Sequence, residues 1–387
     1  MVRNISVGID IGSKTTRVVV GEFEKGEKYP KIIGVGECET QGMRHGYVVN
    51  QDEVIESLKT AVAFAEKTSG VKIRRAFVAI SGTTLRGSTS SGMVVVSKAD
   101  GEVTGLDVAK VLEDCEENLN LGNRKIIQVF PSSFKLDGKD VLGRLEGMRG
   151  TKLEAKAMFL TYSIQHLEDL LEVIAEAGIR TIDVIPAPIA LSNIVLSEKQ
   201  KIVGVALVSI GDQTTSLTVF ENGILISNHT FSIGSSDITN DIALGLKIPL
   251  EMAEHLKQGV VEESISNRKL AEIIEARLSD IFELIDNHLK KIKRSGLLPA
   301  GIVFVGGGAN VKGLEDLSKS VLKLPASIAT TEMFNNSKTK LRDSAWFTSI
   351  GLLTSPKDAE SGTDGPLGNL FKDLKNALKS SIKQLMP

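Results

Sequence analysis

Apolar and polar residues alternate from Val2 to Ile9, are interrupted by Gly12-Ser13-Lys14, and alternate again from Thr16 to Glu22 and from Ile32 to Glu37. That period of two predicts three strands, the first pair joined as a hairpin with a glycine-containing tip. Asp52 then offers an N-cap, and Val54, Ile55, Leu58, Ala61, Val62 and Ala65 recur at helical spacing until Gly70, which predicts one amphipathic helix. Ala76 to Ser81 reads as a further strand. Between Gly82 and Thr161 the character changes. A Ser/Thr/Gly-rich start (SGTTLRGSTSSG), a helical pattern from Leu106 to Asn118, and apolar strands from Lys125 to Phe130 and Ala155 to Thr161 predict an inserted small α+β subdomain. Ser163 to Ala177 is amphipathic at helical spacing, and a second helix follows Ile185 to Pro188 and reaches Ser197.

The pattern then repeats. Ile11-Gly12-Ser13-Lys14-Thr15-Thr16 returns as Ile210-Gly211-Asp212-Gln213-Thr214-Thr215, 199 residues later, and both copies lie between an apolar strand and a second strand. Matching flanks around a matching motif imply two similarly folded halves, each with one glycine-tipped hairpin. A third strand ending near Ile233 follows, then helices from Ile238 to Leu246, Leu250 to Gln258 and Lys269 to Arg294. Lys290, Lys291, Lys293 and Arg294 close the last of these, as expected of cations facing a helix C-terminal dipole. Ile302 to Val305 is a short buried strand running into Gly306-Gly307-Gly308, and a helix from Leu314 to Val321 comes after it.

Composition narrows the classes. With 387 residues the chain exceeds one ordinary core, and 42% hydrophobic against 24% charged residues describes a globular protein. A net charge of -2 gives no basic excess, so nucleic acid is not an expected partner. Cys38 and Cys115 make no disulfide framework and the five histidines are scattered, so no His/Cys metal site is expected. The first residues carry no signal-peptide pattern and no stretch of about 18 apolar residues occurs, which predicts an intracellular protein without a membrane-spanning helix.

Three glycine-rich turns, at Gly12, Gly211 and Gly306 to Gly308, each follow an apolar strand. Glycine lets backbone amides approach an anion closely, so two facing hairpins would clamp a polyphosphate. Lys14 supplies a point charge, Thr15, Thr214 and Thr215 hydroxyls, and Asp10 a carboxylate able to hold Mg2+ through water. A P-loop is excluded because a strand rather than a helix follows Lys14, and a dinucleotide fingerprint because GGGANV lacks its last glycine.

These residues resemble the actin-like ATPase superfamily and, within it, the FtsA family of bacterial cell-division proteins. VGIDIGSKTTRVVVG resembles the first phosphate motif, VSIGDQTTSLTVFENG the second, VFVGGGANVKGL the adenosine motif, and DITNDIALGLKIPLEMAEHLKQG the ribose-contacting helix. The resemblance implies an α/β, actin-like (ribonuclease H-like) fold. Its first lobe would comprise residues 1–82 and 162–199, with an inserted subdomain at 83–161 that contacts the next protomer. The second lobe core would be 200–234 and 296–353, with a helical, FtsZ-binding subdomain at 235–295. It implies ATP and Mg2+ as cofactors and assigns to the nucleotide Gly12, Ser13, Lys14, Thr15, Gly211, Asp212, Gln213, Thr214, Thr215, Gly234, Glu254, Lys257, Gly306, Gly307, Gly308 and Ala309. Two acidic positions of the family pattern are absent, Ser209 and Ala187 standing in their place. Phosphoryl transfer depends on metal and water positioning, so binding with weak hydrolysis is expected.

The C-terminal region has a pattern of its own. The polar stretch SPKDAESGTDGP predicts a linker over 354–366. Beyond it, over 367–387, Leu367, Leu370, Phe371, Leu374, Leu378, Ile382 and Leu385 form one helical stripe flanked by Lys372, Lys375, Lys379 and Lys383. Such a helix lies in the plane of an anionic membrane, each lysine adding ~1 kcal/mol and each buried Leu or Phe ~1.5–3 before ordering costs. FtsA proteins resemble this arrangement, which implies a polymerising adaptor peripheral to the cytoplasmic face of the membrane at the septum. Its partners would be the FtsZ C-terminal peptide, further copies of itself, anionic lipids and later division proteins. A PilM-like scaffold of type IV pilus assembly would lack the lysine-flanked helix, and an actin-fold small-molecule kinase would have no use for it.

Overall fold

The computed structural model describes residues 4–360 except 25, 26, 28, 142, 261–264 and 332–338. The expected membrane helix and residues 361–366 of the expected linker therefore lie outside the described residues. Strands β1 (Asn4–Ile11) and β2 (Thr15–Phe23) form the expected hairpin, followed by β3 (Lys31–Glu39) and a two-rung ribbon of β4 (Met43–Arg44) and β5 (Tyr47–Val48). Helix α1 (Gln51–Ser69) begins two residues earlier than the Asp52 N-cap predicts, because Asn50 is the N-cap. The Asn50 side chain accepts the Glu53 amide. Strand β6 (Arg75–Ile80) closes this segment.

The next segment contains β7 (Arg86–Val95), α2 (Gly105–Glu117), β8 (Arg124–Leu136), β9 (Lys139–Asp140) and β10 (Lys152–Ser163), and Gly87–Thr161 is compact. Its Ser/Thr/Gly-rich start is a strand rather than a loop. β7 is the edge of a sheet ordered β7-β10-β8-β9, and mostly polar residues fill its exposed positions. Val108, Val111, Leu112 and Cys115 of α2 share one buried core with Leu153, Ala155, Ala157 and Phe159 of β10. Buried Asp107 anchors α2: its carboxylate accepts from the Thr104 amide and hydroxyl and from the Ser97 amide and hydroxyl. Burial alone would raise its pKa, but those four bonds hold it far below the usual carboxylate range.

The chain continues through α3 (Ile164–Glu176), β11 (Arg180–Pro186), α4 (Ala187–Val195) and α5 (Glu198–Val203) into β12 (Val205–Ile210), β13 (Thr215–Glu221) and β14 (Ile224–Phe231). Helices α6 (Ser235–Leu246), α7 (Leu250–Lys257) and α8 (Asn267–Lys291) follow, then β15 (Ile302–Val305), α9 (Leu314–Leu322), β16 (Ala326–Ile328) and α10 (Phe347–Glu360). Helix α10 carries its backbone past Leu353, seven residues into the stretch that composition assigns to the linker. Lys290 and Arg294, at and just beyond the end of α8, are paired with Asp286 at 2.7 Å and Glu221 at 2.6 Å.

The unit that runs up to Arg86 and resumes over Tyr162–Leu353 holds two sheets, ordered β3-β2-β1-β6-β11 and β14-β13-β12-β15-β16. In each, the motif strand is antiparallel to its hairpin partner on one side and parallel to a crossover strand on the other. The duplication read from I-G-x-x-T-T is thus a duplication of topology. In the second lobe Ile274, Leu278, Ile281, Phe282, Ile285 and Leu289 of α8 recur at steps of three and four and share a core with the β12 and β15 side chains.

In the first lobe α1 lies directly on the backbone of β3. A Cβ on Gly36 would stand 1.9 Å from the Ala61 carbonyl oxygen and 2.6 Å from the Ala65 nitrogen. Gly36→Ala is therefore expected to cost at least ~1–3 kcal/mol in denaturant unfolding. Gly105→Ala, where the nearest atom is a Glu146 oxygen at 3.5 Å, is expected to cost nothing.

Candidate functional site

Both motif turns close with the same bond. The Gly12 amide donates to the Thr15 carbonyl at 3.2 Å, and the Gly211 amide to the Thr214 carbonyl at 2.8 Å. The registers below them are equivalent, Ile11 facing Thr16 and Ile210 facing Thr215. Between the two tips is a cleft of about 600 Å³, a size suited to a small-molecule ligand. Of the residues singled out in the sequence, Asp10, Gly12, Ser13, Lys14, Thr15, Gly211, Asp212, Thr214, Glu254, Lys257, Gly306 and Gly307 line it. So do Ala187 and Ser209, the two positions where the family pattern has acids.

Five expected residues do not. Gln213 turns to the ribbon, its Oε1 accepting the His45 amide at 2.9 Å. Thr215 is fully buried and its hydroxyl donates to the Ile233 carbonyl at 2.8 Å. Gly234 packs on the Asp212 carbonyl, and Gly308 packs on Ile210. Ala309 is a core residue with no exposed surface. Of the five, Gln213 and Thr215 are the positions of the second repeated motif that turn away from the cleft.

Charge is arranged in two groups. Glu254 on α7 accepts from Lys14 at 2.8 Å across the cleft, from Lys257 at 2.8 Å and from the Thr239 hydroxyl at 2.7 Å. Burial raises the Glu254 pKa, but these three donors outweigh it and hold the carboxyl down to about 2. Burial lowers the pKa of Lys257, which also donates to the Ser235 carbonyl at 3.0 Å, and Glu254 only partly restores it. Asp212 is raised by burial, with Lys14 and Lys257 pulling the other way.

The second group surrounds Asp10. Burial pushes its carboxyl up to about 6, against the pull of the Arg17 cation and a hydrogen bond with Thr348. Arg17 lines the cleft and lies over the Trp346 ring at 5.5 Å. Its Nε is buried without a hydrogen bond, the nearest Glu37 oxygen standing 3.9 Å away. Arg17 carries no motif signal, because in β2 it is one polar position of an alternating run. Asn310, Asp343 and Thr348 also line the cleft and belong to no repeated motif. Their only advance signal was proximity in sequence to the third glycine turn and to α10.

A family model described as cell division protein FtsA matches residues 206–351, and one for the SHS2 domain inserted in FtsA matches residues 82–161. Cell division protein FtsA of Bacillus subtilis (strain 168) is 30% identical over 369 residues, 90% of this chain and 82% of that protein. The Escherichia coli (strain K12) protein of the same name is 25% identical, with 98% of this chain and 99% of that protein covered. Among solved structures, the PilM-PilN type IV pilus biogenesis complex matches with a TM-score of 0.67 at 15% identity, covering 91% of this chain and 98% of that one. MreB5 of Spiroplasma citri bound to ADP matches at 0.54 and 13% identity, over 96% and 98%. The fold is actin-like.

The two carboxylates titrate in opposite senses. Asp10 has a raised pKa, so its share of stability is full below the ordinary value of 3.8 and is lost as pH rises through about 6. Asp10→Asn is expected to raise the unfolding midpoint at pH 7.5 and to leave it unchanged near pH 4. Glu254 has a lowered pKa, so its share is full above 4.5 and is lost as pH falls toward 2. Glu254→Gln is expected to lower the midpoint at pH 7, with the deficit shrinking between pH 4.5 and 2. Urea unfolding followed by circular dichroism across this range checks both.

Proposed function

The chain belongs to the FtsA family of bacterial cell-division proteins, and from that premise we propose that it is an ATP-binding, polymerising adaptor that anchors FtsZ filaments to the inner face of the cytoplasmic membrane at the septum. The observation that carries the nucleotide part is the duplicated hairpin, with two identical amide-closed glycine turns facing one cleft. The residues present fit a nucleotide. Ser13, Thr15 and Thr214 offer hydroxyl donors, Lys14 a cation, and Arg17 a buried Nε that makes no hydrogen bond. Gly306 and Gly307 are the cleft residues on the side assigned to adenosine.

ATP supplies, when bound, a transferable terminal phosphoryl group. Lys14 would hold the phosphates, and Glu254, which pairs with Lys14 at 2.8 Å, would hold the ribose hydroxyls. Asp10, already costly to ionise in its buried position, would hold Mg2+ through water, and a dication beside it favours the charged carboxylate. Ser209 and Ala187 offer no carboxylate to a water molecule, so hydrolysis is slow while binding persists. The nucleotide then acts as a switch for assembly rather than as fuel for rapid turnover.

The lysine-flanked stripe of residues 367–387 supplies the membrane contact. One such helix binds modestly and many on one polymer bind together, since later attachments become intramolecular. The helical segment 235–295 is the proposed dock for the FtsZ C-terminal peptide, and residues 83–161 for the next protomer and later division proteins.

Two experiments test the proposal. FtsZ is expected to sediment with anionic vesicles in the presence of the intact chain plus ATP, and to stay in the supernatant when the chain ends at Glu360. Equal sedimentation with both forms would remove the tail as anchor. Phosphate release should be near background in the parent, and Ser209→Asp combined with Ala187→Glu should raise it at least about tenfold with nucleotide affinity little changed.

A further inference from the structure

The ribbon tip His45-Gly46 is a junction. Both residues take positive φ, 47° and 86°, the pairing of a two-residue β4–β5 hairpin turn. Five hydrogen bonds from four residues converge on the tip. The Gly46 amide donates to the Ser13 hydroxyl oxygen at 3.2 Å, on the first cleft hairpin. The His45 amide donates to Gln213 Oε1 at 2.9 Å, and the His45 ring Nδ1 lies 3.2 Å from the Gln213 carbonyl, on the second. The His45 carbonyl accepts the Thr83 amide at 3.2 Å, and the Gly46 carbonyl accepts the Tyr162 hydroxyl at 3.2 Å. Gly46 and Gly82 face each other so closely that a Cβ on Gly46 would stand 2.5 Å from the Gly82 Cα.

Thr83 and Tyr162 are the points where the chain departs for, and returns from, residues 87–161. We infer that the His45-Gly46 tip is a relay that passes the state of the two cleft hairpins to these departure and return points. The inference rests on the nucleotide reading of the cleft. Ser13 accepts from Gly46 with an oxygen lone pair and keeps its own proton to donate. An anionic phosphate oxygen that accepts a hydrogen bond from this proton polarises the hydroxyl, which strengthens the Gly46 bond and, through the His45–Gly46 peptide that carries both groups, the bond from the Thr83 amide to the His45 carbonyl. Gln213 holds the same tip from the opposite hairpin, so closing the hairpins on one ligand fixes the tip from both sides. Tyr162 is buried, and its hydroxyl clamps the adjoining Gly46–Tyr47 peptide to the return point, so Tyr162→Phe releases the tip from that point without emptying the pocket.

The test is amide hydrogen exchange on the full chain, with Mg2+ and either ADP or a non-hydrolysable ATP analogue. Nucleotide binding is measured by equilibrium dialysis on the same samples. At saturating nucleotide the Gly46 and Thr83 amides are expected to exchange at least about fivefold more slowly in the parent. The slowing should fall below about twofold in Tyr162→Phe, which still binds nucleotide, and in Ser13→Ala at saturation. Binding without slower exchange, or an undiminished response in both variants, overturns the relay while leaving the cleft reading intact. Absence of binding in the dialysis overturns both.

Discussion

A glycine amide that reaches across four residues to a threonine carbonyl occurs twice in this chain, and the cleft depends on both copies. Each bond folds the end of an apolar strand back on itself, so the turn's backbone and hydroxyls point into the space between the lobes while the following threonine is driven into the core. The partition is visible in the second copy: Thr214 lines the cleft and Thr215 is fully buried. Everything charged in the site is placed relative to these two turns. Lys14 can reach Glu254 only because its turn presents it toward α7, and Asp10 is half-buried only because it precedes the turn on the floor of the cleft.

Tight packing behind the turns keeps them rigid. α1 sits on β3 at backbone distance, and α10 does the same on β1, where a Cβ on Gly8 would stand 2.3 Å from the Ser349 carbonyl oxygen. The first-lobe sheet is thereby held between helices that leave no room for adjustment, which is the support a preorganised polar site needs. The second lobe achieves the same end differently, with the large side chains of α8 filling the space under β12 and β15.

Much of this was readable from the chain. The period of two and the repeated I-G-x-x-T-T located both hairpins because strands buried on one face alternate strictly, and duplication repeats the alternation together with its turn. The motif alone does not show that Gln213 bonds the His45 ribbon, because a repeat treats its positions as equivalent and only the fold brings the ribbon to it. β7 was missed because an edge strand with an exposed face has little need of apolar residues, and β11 because Pro186 at its end resembles a break. Arg17, Asp343 and Thr348 reach the cleft through tertiary folding, with no local pattern to announce them. The N-cap was displaced from Asp52 to Asn50 because either side chain satisfies the rule and only the entry angle of the chain decides.

The two hairpins are twins in backbone but not in charge. Where the first offers Ser13 and Lys14, the second offers Asp212 and Gln213, so a cation on one lip faces a carboxylate on the other. Duplication followed by this divergence has turned a symmetric gap into a polarised one, with a potential gradient running from lip to lip. A molecule that is itself uneven in charge would meet a different energy in each of its two orientations, so a gap built this way discriminates direction as well as size.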